Sequence, residues 1–203
     1  MDITTNGKGT LVETLRTCWH VLFVRRELMV YMNAVFFGGL LVSTVVGGLL
    51  LRPGLYVNSH SMISDFFWGL NWPLMVLAIF SSNLVLSALL FVTLPGFVFF
   101  PFSACVLAYR AFLWGLLIAP LPKWAFLAAL PTVTLEGEAY VLAAAAGTTV
   151  GLSWFKPKWA HASEASSRGA ALRQAFKDCG KMYLFIILLL IGAAAVETAT
   201  VLL

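Results

Sequence analysis

Apolar runs long enough to cross a bilayer recur along this chain, separated by short polar stretches of uneven charge. Leu28 to Leu51 is uncharged over 24 residues, about 36 Å of helix. Pro73 to Leu94, Pro95 to Ala119, Pro131 to Phe155 and Met182 to Leu203 read as four further spans. Two segments have an amphipathic rhythm instead. In Thr10 to Leu28, the residues Leu11, Leu15, Cys18, Trp19, Leu22 and Phe23 keep helical spacing, while Glu13, Arg16, His20 and Arg26 fall mostly elsewhere. That predicts a helix lying at the interface, or a polar extension of the first span. The second half of Lys156 to Lys181 sets Leu172, Ala175, Phe176 and Cys179 opposite Arg173, Lys177 and Lys181, which predicts a second interfacial helix. Pro53 to Trp72 reads as an external loop with an aromatic patch at the membrane surface, and Pro120 to Leu130 as a short proline-bounded surface piece. The expected fold is an all-α polytopic membrane helix bundle of about five transmembrane helices plus two interfacial helices. Residues 1–27 would form a cytoplasmic N-terminal segment and residues 28–203 the transmembrane domain.

Composition agrees with the pattern. At 61% hydrophobic and 11% charged residues, the chain cannot cover itself with a wetted surface, so the lipid bilayer is its first partner. A net charge of +4, gathered in patches that flank apolar runs, suits lipid head groups; no basic and aromatic constellation for nucleic acid is present. Cys18, Cys105 and Cys179 share no CxxC spacing, so neither a disulfide framework nor a zinc site is expected. His60 and Asp65 read as solvated loop residues, and no cofactor or metal is expected. No small-residue cleavage site follows the first apolar run, which is read as a retained anchor. Four Lys and Arg residues precede the first span and six lie between the fourth and fifth, which favours an inside N-terminus and an outside C-terminus in the cell (inner) membrane.

The polar residues inside the spans are the candidate chemistry. Counted from the expected outer ends, Glu136 and Glu138 lie about 8 to 11 Å deep, Glu197 about 9 Å, Arg110 about 13 Å and Asn83 about 15 Å. An intramembrane cluster of Arg110 with Glu136 and Glu197, helped by Asn83, follows, with Glu138 turned roughly 200° from Glu136 toward another partner. Its role could be structural, could involve protonation or conduction, or could be contact with a partner's membrane helix. Small residues supply the packing candidates: Gly39, Ser43 and Gly47 in the first span, and Ala139, Ala143, Gly147 and Gly151 in the fourth. An intramembrane protease would need His, paired Asp or HExxH in a span, and the spans contain no His or Asp.

The stretch LEGEAYVLAAAAG, from Leu135 to Gly147, resembles the Glu-x-x-Ala core segment of the stage II sporulation protein M family, with Glu136 and Ala139 at the matching positions. Ile79 to Gly115 is similar to that family's helix pair with an early Asn, here Asn83, and a Gly-containing turn, here Gly96. The ending AAAVETATVLL resembles its final helix, with Glu197 as the acid. Gly137-Glu138 stands where the family has Leu-Pro or Ile-Pro, and Thr198 where it has Ala. The resemblance, from about Leu28 onward, implies a non-enzymatic integral membrane protein. The founding member assembles with a cell-wall hydrolase and another membrane protein during septal remodelling and engulfment, and relatives resemble membrane components of peptide export, immunity or transporter-like assemblies. Two functions are therefore expected to compete. One is an assembly or scaffold component that docks other membrane subunits, or a second copy of itself, through its small-residue grooves and basic helices. The other is a permease-like subunit whose Arg and Glu residues line a path.

Overall fold

The computed structural model describes residues 6–51, 71–156 and 167–202. The loop read over Pro53 to Trp72, with His60 and Asp65, falls almost wholly outside the described residues, as does much of the first half of Lys156 to Lys181. The described chain is all-helical, in six helices: α1 (Asn6–Val24), α2 (Arg26–Leu50), α3 (Trp72–Val98), α4 (Pro101–Ile118), α5 (Lys123–Phe155) and α6 (Arg168–Leu202). Five of them, α2 to α6, are long and apolar enough to cross a membrane.

Helix α5 is the axis of the bundle. It packs against α2, α3, α4 and α6, most extensively against α6, while α2 and α4 form the other large pairing. The reason is compositional: Ala143 to Gly147 presents small side chains in every direction, so neighbours can approach from all sides. From Ala139 to Gly151 every residue of α5 is buried. Lipid-facing positions carry the large apolar residues, including Leu41, Leu49 and Leu50 on α2 and Phe102, Tyr109 and Leu117 on α4.

Helix α3 is irregular. Asn71 caps its start by accepting from the Leu74 N–H at 3.3 Å, and Pro73 occupies the first turn, where no N–H is needed. Ser82–Thr93 then winds as a π-helix over 12 residues, longer than the single-turn bulges usual for this geometry. The α-helical end Leu94–Val98 follows, so Pro95 and Gly96 close the second span rather than opening the third, which starts at Pro101.

Two expectations need correction. Pro120 to Leu130 is not a separate surface piece: α5 begins at Lys123 behind an extended Pro122 and continues through Pro131. Pro131 is exposed, so the Leu127 carbonyl it leaves without a partner need not be buried. Nor does the basic stretch ending at Lys181 form its own helix. Ser167 caps α6 by accepting from the Ala170 N–H at 3.2 Å, and the helix then runs without a break into the last span. Its buried stripe of Ala171, Ala175, Cys179, Met182, Ile186 and Leu190 is one pattern, packed at its first end on Ala146 and Val150 of α5. Tertiary burial thus extends the helix past the boundary that charge alone suggests.

Candidate functional site

Along α5 the environment changes at Glu136, since the residues before it are exposed or partly exposed and those after it are almost all buried. Glu136 is only 5% exposed, and its carboxylate is held by neutral donors. The Asn83 side-chain N–H donates to Oε1 at 2.6 Å, reaching across from the π-helical part of α3. Tyr140, one turn further along α5, donates its hydroxyl to Oε2 at 3.4 Å. Ser87 of α3 lies within hydrogen-bonding reach of the same hydroxyl.

Arg110 enters from α4 but makes no ion pair with a carboxylate among the described residues. Its guanidinium lies 4.1 Å from the centroid of the Tyr140 ring and 5.6 Å from that of Trp114. Those two rings meet edge-on at 5.7 Å, so the cation rests on an aromatic corner whose π faces attract it. Its Nε is buried with no hydrogen-bond partner, as is the Thr132 hydroxyl. Arg110 and Glu197 both lie within electrostatic reach of Glu136. The Glu197 carboxylate itself makes no hydrogen bond among the described residues. Glu138 faces elsewhere, within hydrogen-bonding reach of Asn33 on α2. Because α5 starts at Lys123, Glu136 stands thirteen residues into the helix (136 − 123), about 20 Å along its axis. The helix start assumed at Pro131 is thus eight residues late (131 − 123).

The small residues are all spent within the chain. A Cβ on Gly147 would stand 2.6 Å from the Thr93 carbonyl oxygen and 3.1 Å from its Cα, and one on Gly151 would strike the Gly96 carbonyl oxygen. Ala139 is fully buried, and the Ala143 carbonyl accepts from the Thr93 hydroxyl at 3.0 Å. On the other flank, Gly39 faces Ala111, Gly47 faces Ala119, and the Ser43 hydroxyl fills the space left by Gly115. These grooves are occupied by α3 and α4, so they are not open to a partner helix.

The opposite end of the bundle holds a second charged group that the sequence pattern did not reveal. Arg25, at the corner between α1 and α2, stands 3.8 Å from Asp178 of α6, and Lys181 is 4.0 Å from the same carboxylate. Gln174 donates to it as well, at 2.9 Å. Burial pushes the Arg25 guanidinium below its ordinary value, and the Asp178 charge pulls it partly back. In the Glu136 cluster, Tyr140 and Trp114 were missed, although each lies four residues beyond a charged residue of its own helix, Glu136 and Arg110. Among the described residues no three His, Cys, Asp or Glu side chains group closely enough to hold a metal ion, and the three cysteines are free.

Five apolar helices, four of them packed around the fifth, with acids and an arginine inside the spans, define a multi-pass integral membrane protein. The family model of stage II sporulation protein M matches residues 28–200, and the chain belongs to that family. No curated protein and no solved structure matches the chain.

Proposed function

We propose that this chain is a non-enzymatic assembly component of a membrane complex, inserted in the cell (inner) membrane with its N-terminus inside and its C-terminus outside. One observation carries the reading: α5 is sealed from Ala139 to Gly151. A path for an ion or peptide needs polar groups spread along the axis, whereas here the charged side chains inside the spans gather around Glu136 and the axis beyond it is closed. The hydroxyls deeper in the bundle are spent on backbone carbonyls, Ser103 on Val92 at 2.8 Å, Thr149 on Ala145 at 2.8 Å and Ser153 on Thr149 at 2.9 Å. A bundle closed along this stretch suits a static role. Since the small-residue grooves are filled, partner subunits meet the outward faces of the helices. The test is purification of the tagged full chain from its native membrane in mild detergent, with co-purifying chains identified by mass spectrometry. Stoichiometric recovery of an envelope or membrane assembly protein is expected. Recovery of an ATPase or permease, or of the chain alone, would overturn the assembly reading.

A permease-like role is the second reading, favoured by Arg110 and Glu197, which lack counter-ions within 4.0 Å among the described residues. Transport through that cluster would require Glu197→Gln to abolish flux in proteoliposomes of the purified complex while leaving its thermal midpoint unchanged.

A further inference from the structure

The first three turns of α6 carry a one-sided charge pattern that the assembly reading does not use. Arg173, Phe176 and Lys177 recur at i, i+3 and i+4 and are exposed, while Ala171, Ala175 and Cys179 on the other side are buried. Between Arg168 and Lys181 the sole acid is Asp178, which is buried and already engaged by Arg25, Lys181 and Gln174. The exposed stripe is therefore purely cationic. Two like charges one turn apart repel each other, and an anion between them would relieve that repulsion.

The height of this stripe along the bundle is fixed by its aromatic residue. The Phe176 ring meets Phe97 edge-on at 5.5 Å, and Phe97 lies in the last turn of α3, where the second span ends. Beside it, the ring of Phe99 contacts Phe155, the last residue of α5. Arg173 and Lys177 thus flank an exposed ring at the height where the apolar helices α3 and α5 end. That combination of cations beside an aromatic surface matches an anionic amphiphile rather than a soluble acid.

The geometry points to an anionic-phospholipid site on α6, in which Arg173 and Lys177 hold the head-group phosphate and the Phe176–Phe97 pair supports the acyl chains. It stands independently of the assembly role. The full chain would be released for native mass spectrometry from micelles holding equal amounts of phosphatidylglycerol and phosphatidylcholine. Wild type is expected to retain the anionic lipid preferentially, and each neutralisation, Arg173→Gln or Lys177→Gln, to reduce that preference about fivefold. The paired exchange Arg173→Lys with Lys177→Arg keeps both charges and should keep the preference, which separates charge from folding. Lys123→Gln, at the other end of α5, should leave it unchanged. The preference should also shrink as salt is raised. Equal retention of the two lipids by wild type, or undiminished preference in the double Gln variant, would overturn the site. Binding of an acidic peptide but of neither lipid would assign the stripe to a protein partner and overturn it equally.

Discussion

Where α1 and α2 meet α6, opposite charges face each other directly: Arg25 stands 3.8 Å from Asp178, with Lys181 at 4.0 Å. In the cluster around Glu136, in the other half of α5, the same kinds of side chain are kept apart. Glu136 is bonded to an amide and a phenol, and Arg110 rests on two rings. The difference follows how the cost of desolvation is met. Asp178 is buried but faces two cations at once, and Lys181 keeps 31% of its side-chain surface, so direct pairing offsets part of the desolvation and avoids part of it. Inside the spans each ion loses its water, and directional neutral donors and π faces satisfy it without requiring a second desolvated charge beside it.

The largest effect is expected from severing the packing that joins the two ends. Gly147→Leu would drive a side chain into the Thr93 backbone, which cannot yield as a flexible side chain would. A loss of about 3 kcal/mol is expected in detergent unfolding titrations. Gly169→Leu, with nothing within 4 Å of its Cβ position, should cost nothing comparable. Next comes Glu136→Ala, which strands the half-buried Asn83 amide and should cost about 2 kcal/mol; Glu136→Gln keeps an acceptor and should cost well under half of that. The two ends then separate by salt. Asp178→Asn should cost about 1 kcal/mol at low ionic strength and less as salt rises, whereas the Glu136→Ala loss should not respond to salt. If both losses fade equally, the contrast between the ends fails. The smallest effect belongs to Tyr140→Phe, which keeps the ring under Arg110 and removes only the hydroxyl, about 0.5 kcal/mol in the same titration.

Much of the bundle was legible because the bilayer imposes lengths. Twenty apolar residues can do little else in a chain this poor in charge, so the five spans could be read from Leu28 onward. Helix ends were harder. Pro131 looked like a start and Lys181 like a stop, yet α5 and α6 pass through both, since burial of Ala146 and Val150 against Ala175 and Met182 outweighs the local signals. In the cluster, the acids and the arginine drew attention as costly residues in apolar surroundings. Tyr140 and Trp114 did not, because an aromatic residue in a span is ordinary until its neighbour is known.

Sequence by itself determined the solvent of this protein, its helical class, its family and which side chains are expensive where they stand, since each depends on composition and spacing alone. Tertiary structure decided everything that depends on which faces meet. Asn83 and Glu136 are 53 positions apart and Arg25 and Asp178 farther still, and no local rule brings either pair together. The glycine and alanine run of α5 shows the boundary most clearly. Its spacing announced a groove, but the groove was equally open to a foreign helix and to the chain's own α3. The turn through Gly96 is already tethered by short connections and pays far less entropy to fill it.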